Sequence, residues 1–92
     1  MSRRRDRIDF DVTFPDIPKY GRAIQNYRAM RPSNVNGTTV HTRNLNEEDA
    51  IRGILVVANA RYLLKEARKD YRQGSIHVHR IDTPVPVYQR LF

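Results

Sequence analysis

Two histidines near the carboxyl end of the sequence have a spacing that can bind a metal ion. His77 and His79 are separated by one residue, so both imidazoles lie on the same face of a strand. Such a pair binds zinc when further ligands complete the site. His41 or Asp82 would have to supply them, and neither stands at a typical zinc-site spacing. We therefore expect a polar strand face with no metal and no cofactor.

A pair of carboxylates, Asp9 and Asp11, also shares one strand face. Paired carboxylates bind hard cations or perform acid–base chemistry, and the latter requires a pocket that shifts pKa values. A polar outer face, on which Arg7 or other arginines pair with these carboxylates, is the simpler interpretation. His41-Thr42-Arg43 lacks the partners of a catalytic triad, and the isolated Gly37 forms no phosphate-binding loop. These patterns favour a protein that is not an enzyme.

Basic residues form two clusters, which are the candidate binding sites. Seventeen Lys and Arg oppose ten Asp and Glu, and the formal net charge is +7. Most of the cations are arginines, whose planar fork suits phosphate and carboxylate groups. Both clusters predict binding to nucleic acid or to an acidic partner. The amino-terminal cluster contains Arg3, Arg4, Arg5 and Arg7, and the second, largely on one helix face, contains Arg61, Lys65, Arg68, Lys69 and Arg72.

Hydrophobic periodicity predicts the elements that position these residues. Alternation of apolar and polar residues predicts a strand over 7–14, and apolar spacings of three and four predict a helix over 17–31. The same spacings predict a second helix over 47–72, with Asn46 as its N-cap. At the rise of an α-helix this element is about 40 Å long, so its basic end should project from the domain. A final strand is expected over 75–82.

The segment between the two helices favours a weak hairpin. Asn36-Gly37 is a typical turn sequence, with short strands expected over 33–35 and 38–42. The resulting order is strand, helix, hairpin, long helix, strand. We therefore predict a small single α+β domain, for which the ferredoxin-like split β-α-β unit is one candidate topology.

The sequence divides into a basic amino-terminal arm (1–7), the α+β domain (8–82) and an extended carboxy-terminal arm (83–92). Pro84 and Pro86 cannot donate to a strand ladder, so the last segment is not a central strand. Its large apolar side chains should either fold back onto the core or dock on another subunit. The residues expected to dock are Val85, Val87, Tyr88, Leu91 and Phe92.

Composition excludes several classes of protein. The absence of cysteine excludes disulfide scaffolds, thiolate zinc sites and cysteine nucleophiles. Ile, Leu, Val and Phe form about a quarter of the 92 residues, above the roughly 20% below which charged chains stay disordered. No apolar run approaches the ~18 residues of a membrane span, and the basic start is not followed by a signal-peptide core. We expect an intracellular, cytoplasmic protein without a membrane partner, with incorporation into a virion as one destination.

Two functions fit these observations. The first is a non-enzymatic structural component of a large complex, such as a virion, a phage head–tail assembly or a ribonucleoprotein particle. Its terminal arms would dock on other protein subunits. The second is a stand-alone nucleic-acid-binding protein or regulator that uses the arginine arm and the basic helix face without sequence preference. Removal of 83–92 would abolish incorporation under the first hypothesis and leave nucleic-acid affinity nearly unchanged under the second.

Overall fold

The structure is a computed structural model that describes residues 7–81. Its first strand, β1 (Ile8–Thr13), confirms the predicted alternation. Phe10 and Val12 are fully buried, whereas Asp9 and Asp11 lie on the other face and remain partly exposed. This strand therefore presents one face to the core and one polar face outward.

The first helix, α1 (Pro18–Met30), agrees with the predicted range to within one residue at each end. Pro18 occupies the first turn, where a missing N–H costs nothing. Pro32 prevents further extension because it cannot donate to the helix ladder. The helix packs on the core through one face, whose buried residues are Tyr20, Ala23, Ile24 and Tyr27.

The predicted hairpin exists, but its turn differs from the prediction. The strands are β2 (Val35–Asn36) and β3 (Thr39–Asn44), and Asn36 pairs with Thr39. The turn therefore consists of Gly37 and Thr38, not Asn36-Gly37. Gly37 has a φ of 65°, the sign that a type II′ turn requires at its first central position. The strand expected over 33–35 is also largely wrong, because Pro32–Asn34 forms a 3₁₀ turn.

The single long helix predicted over 47–72 is wrong. The chain forms α2 (Glu47–Val57), a 3₁₀ turn at Arg61–Leu63, and α3 (Leu64–Arg72). The predicted N-cap is confirmed, because the Asp49 N–H donates to the side-chain oxygen of Asn46 at 2.9 Å. The apolar face of α2 contributes Ala50, Ile51, Ile54 and Leu55 to the core.

The break after α2 is a Schellman motif centred on Asn59. This residue has a φ of 59°, in the left-handed region that Asn tolerates better than most residues. The Ala60 N–H donates to the Leu55 carbonyl at 2.7 Å, and the Asn59 N–H donates to the Val56 carbonyl at 3.0 Å. These two bonds close the helix end and turn the chain away from the α2 axis.

The last helix lies against the domain, so the expected projection of its basic end is also wrong. Leu63 and Ala67 are buried, at 5% and 0% exposure, and hold this segment on the core. The predicted end of the helix at Gly74 is confirmed. Gly74 has a φ of 87° and its N–H donates to the Tyr71 carbonyl. The Ser75 N–H donates to the backbone carbonyl of Asp70.

The sheet is completed by β4 (His77–Ile81), which starts later than the predicted strand. The strand order is β2-β3-β1-β4, and every neighbouring pair is antiparallel. Together these elements make a small compact α+β domain with a four-stranded sheet and three α-helices. Within residues 7–81 every fully buried side chain is apolar or aromatic, so the charged residues all remain on the surface.

Candidate nucleic-acid interface

The second basic cluster lies on the solvent side of α3 and the turn before it. We call it the basic face; all its members are exposed, and they are Arg61, Lys65, Arg68, Lys69 and Arg72. Three of them, at positions 65, 68 and 72, have the spacing of one helix face and extend over about 10 Å of axis. Arg61 precedes them in the 3₁₀ turn. The predicted cluster is therefore retained on a shorter element than expected.

The acidic residues of α3 point away from the basic face, towards α1. Lys19 of α1 lies 2.8 Å from Glu66 Oε1 and 3.0 Å from Asp70 Oδ2, measured from its Nζ atom. The Tyr20 hydroxyl also donates to Asp70 Oδ2, at 2.6 Å. In contrast, no basic-face residue forms an ion pair with any residue between 7 and 81. Charge on α3 is thus segregated, with cations outward and carboxylates bound to Lys19.

This cluster between α1 and α3 fixes the protonation states of its members at neutral pH. Hydrogen bonds to Glu66 and then to Asp70 raise the pKa of Lys19 above its usual range. The hydrogen bond from Tyr20 and, to a smaller extent, the one from Lys19 lower the pKa of Asp70. Burial, followed by the bond to Asp70, raises the pKa of Tyr20. Lys19 and Asp70 are therefore charged, and the Tyr20 hydroxyl keeps its proton.

A surface groove of about 370 Å³ separates α2 from α3. It is lined by the acidic Glu48 and Asp49 as well as by Arg52 and Arg68. Tyr71 also lines it, and burial, followed by nearby glutamate charges, raises the pKa of this tyrosine. The groove therefore carries both signs of charge, and Arg68 of the basic face supplies one of its cations.

The outer face of the sheet carries the predicted polar pairs. His41 lies between two carboxylates, with Nδ1 at 3.1 Å from Asp11 Oδ1 and Nε2 at 3.4 Å from Asp9 Oδ1. Arg43 is the arginine that pairs with Asp9, at 3.3 Å from Nε to Oδ1. The expectation that Asp9 would pair with an arginine is thus met by Arg43. Arg7, the other candidate, is exposed just before β1 and forms no ion pair within the described residues.

The two spaced histidines share this outer face. By strand register His79 lies beside Asp11, and His77 lies beside Thr13. Among the residues that the structure describes, no group of three or more His, Asp or Glu is arranged to hold a metal ion. The register therefore places His79 and His41 on opposite sides of Asp11 without assembling a ligand set.

Several predicted site residues lie outside residues 7–81, and their roles stay predictions. These are Arg3, Arg4 and Arg5 of the amino-terminal arm and Val85, Val87, Tyr88, Leu91 and Phe92 of the carboxy-terminal arm. The domain boundary expected at 82 falls one residue beyond the described range. Of the amino-terminal cluster only Arg7 can be placed.

One exposed residue next to the basic face was not predicted from the sequence. Tyr62 lies in the 3₁₀ turn beside Arg61, and 68% of its surface is exposed. The apolar stripes of the expected long helix omit position 62, so periodicity gave it no role. An aromatic residue inside a run of cations was the available signal, because this combination is typical of surfaces that bind single-stranded nucleic acid.

No helix among residues 7–81 combines the length and the apolar character needed to cross a membrane. No known family model, curated protein or solved structure matches the chain. Function is therefore inferred from the side chains and charges described above.

Proposed function

We propose that the protein is a non-enzymatic component of a nucleoprotein assembly and that its basic face contacts nucleic-acid phosphates. The supporting observation is the segregation of charge on α3. Five exposed cations carry no ion pair within the described chain, while Glu66 and Asp70 are bound to Lys19. Cations placed in this way can neutralise phosphates and release condensed counterions, which is the main source of sequence-independent affinity.

The composition of the basic face suits contact with the nucleic-acid backbone. It contains only Arg and Lys, whose positive charges and N–H groups bind phosphate oxygens. Phosphate contacts position a protein but carry no sequence information. Such binding is compatible with a place in a virion, a phage head–tail assembly or a ribonucleoprotein particle, where the terminal arms would supply the contacts to other subunits.

The topology that we propose is the ferredoxin-like split β-α-β arrangement. The strand order β2-β3-β1-β4 and the antiparallel pairing of all neighbours support it. One departure is that two helices, α2 and α3, connect β3 to β4 where the simple unit has one. The additional helix is the one that carries the basic face.

Salt-dependent binding tests the proposed interface. The full chain is titrated with a labelled single strand and a labelled duplex of arbitrary sequence at several salt concentrations. Each neutralised phosphate contributes about 0.7 to the log–log slope for single strands and about 0.9 for duplex. The triple variant Lys65→Gln, Arg68→Gln, Arg72→Gln should therefore weaken binding and reduce the single-strand slope by about 2.

A matched control separates a defined face from bulk charge. The triple variant Arg22→Gln, Arg28→Gln, Arg31→Gln removes the same charge from exposed positions on or next to α1. We expect this variant to lose much less affinity. Equal losses from both triple variants would overturn the proposed interface, as would no binding by the unmodified protein at low salt.

A stand-alone nucleic-acid-binding protein is the second candidate, and the core favours it. The buried side chains from Phe10 to Ile76 of a single chain form one cluster within the described residues. Sedimentation of the full chain and of a variant lacking 83–92 distinguishes the two. A subunit of an assembly should lose self-association or particle binding on truncation, whereas a stand-alone binder should keep both its size and its affinity.

A further inference from the structure

We infer that the nucleic acid bound at the basic face is single-stranded and that one of its bases stacks on Tyr62. This inference rests on the proposed function and specifies its ligand. The observation behind it is an exposed tyrosine ring within a run of exposed cations.

Tyr62 occupies the same side of the segment as two of the cations. Lys65 and Lys69 of α3 follow it by three and seven residues, and Glu66, whose carboxylate is paired with Lys19, follows it by four; such spacings place side chains on one helix face. Arg61 precedes it directly. Within residues 7–81 the Tyr62 side chain forms no hydrogen bond and no contact with another aromatic ring, and 68% of the residue's surface is exposed.

The turn that carries Tyr62 is firmly positioned. The Schellman bonds of Asn59 and Ala60 fix its start, and the Leu63 N–H donates to the Ala60 carbonyl at 2.9 Å. Leu63 is buried, at 5% exposure, and anchors the turn to the core. The ring is therefore presented from a defined backbone and not from a freely moving loop.

The exposure of Tyr62 contrasts with that of the other tyrosines that the structure describes. Tyr20 and Tyr27 are at most 1% exposed, and Tyr71 packs against the core. At 68% Tyr62 is also more exposed than the other large apolar side chains on the described surface. Burial of a ring against a partner is favourable, and a nucleobase offers a flat face that suits it.

Single strands fit this arrangement better than duplexes do. In a duplex the faces of the bases are already stacked on each other, so a ring on a convex helix surface cannot reach them without unstacking. A single strand has free base faces, while its phosphates remain available to Lys65 and Lys69. Sequence-tolerant proteins for single strands use this combination of stacking and charge.

Binding by Tyr62 variants tests the inference in the full-length chain. The probes are twelve-residue oligo(dT), oligo(rU) and a duplex of the same length, each at two salt concentrations. Tyr62→Ala should weaken single-strand binding by about 5- to 100-fold, as alanine substitutions of stacking aromatics do. The salt slope should not change, because no phosphate contact is removed. Duplex affinity should also remain unchanged.

Two further variants act as controls. Tyr62→Phe keeps the ring and should keep single-strand affinity. Met30→Ala removes another exposed apolar side chain, 55% exposed at the end of α1, and should have no effect. Thermal unfolding of each variant checks that the fold is intact. The dT and rU probes show whether DNA or RNA supplies the strand.

The outcomes separate this inference from the proposed function. If the Lys65, Arg68 and Arg72 triple variant loses binding but Tyr62→Ala binds single strands like the wild type, only the stacking inference fails. If the triple variant binds normally, the proposed interface fails as well. Polyglutamate is titrated as a further probe. Equal losses of polyglutamate binding and of single-strand binding in Tyr62→Ala would indicate an acidic protein partner and would also overturn the inference.

Discussion

At the scale of single residues, the bond between Tyr20 and Asp70 ties the first helix to the helix that carries the basic face. The Tyr20 side chain is fully buried, and its hydroxyl reaches Asp70 at 2.6 Å. Hydrogen bonds to charged groups contribute more than those between neutral groups. This contact therefore helps to hold α3 against α1 and orients the Asp70 carboxylate.

Substitution of the buried tyrosine measures this contact. Tyr20→Phe should lower the free energy of unfolding by about 1.5–3 kcal/mol, because the charged Asp70 carboxylate loses one of its two partners and keeps only Lys19. Tyr27→Phe is the control, since Tyr27 is 1% exposed and its hydroxyl makes no hydrogen bond within the described residues. Urea unfolding of both variants should show the larger loss for Tyr20→Phe. Equal losses would mean that the bond adds nothing beyond the hydroxyl itself.

The carboxylate of Asp70 makes stability depend on acid. Its pKa is lowered in the folded state by Tyr20 and then by Lys19, relative to an ordinary value of 3.8. The stabilisation is thus fully present above 3.8 and is lost as the pH falls through the lower folded-state value. Wild type should exceed Asp70→Asn in stability at neutral pH, and the difference should shrink in acid. A difference that stays constant throughout acid unfolding measurements would contradict this expectation.

At the scale of secondary structure, the decisive feature is the break at Asn59. If positions 47–72 formed one continuous helix, Asn59→Ala would stabilise the protein, because alanine has the higher helix propensity. In the Schellman motif the same substitution should destabilise it by about 1 kcal/mol, because alanine is disfavoured in the left-handed region. Asn59→Gly should not be destabilising. Chemical denaturation gives the sign directly, and stabilisation by alanine would contradict the break.

The sequence predicted the elements that have a single clear periodicity. It missed the break and the turn that depend on a residue with a positive φ angle. The alternation of apolar and polar residues defined the ends of β1, and the prolines at either end of α1 defined the ends of that helix. The break at Asn59 was missed because the apolar spacing continues across it through Ala60, Leu63 and Ala67. The turn at Gly37 was shifted because the hairpin register, and not the dipeptide alone, decides which residues turn.

The candidate site was predictable only where it is local in sequence. The cations from Arg61 to Arg72 stand close together in the chain, so their spacing revealed them. The pairing of Lys19 with Glu66 and Asp70 joins residues about fifty positions apart, which no local pattern reports. Tyr62 was missed for a different reason, because it lies outside the apolar stripes and gains meaning only once its exposure is known.

At the scale of the whole molecule, all the buried side chains described lie between Phe10 and Ile76. A chain restricted to residues 7–81 should therefore fold and unfold cooperatively on heating. Circular dichroism of this fragment and of the full chain provides the measurement. A fragment without a cooperative transition would show that the segments outside 7–81 complete the core.

The orientation of charge on α3 also affects how the molecule meets a partner. Because Lys19 pairs with the carboxylates of Glu66 and Asp70, the exposed cations of the basic face leave the outer side of α3 with a net positive charge. In a physiological salt solution the Debye screening length of this charge is about 8 Å. If the proposed interface is correct, we expect this charge to orient an approaching polyanion towards α3 before contact and to raise the association rate more than it lowers the dissociation rate. Long-range electrostatics, acting before any short-range contact forms, would then determine which surface of the protein first meets the polyanion.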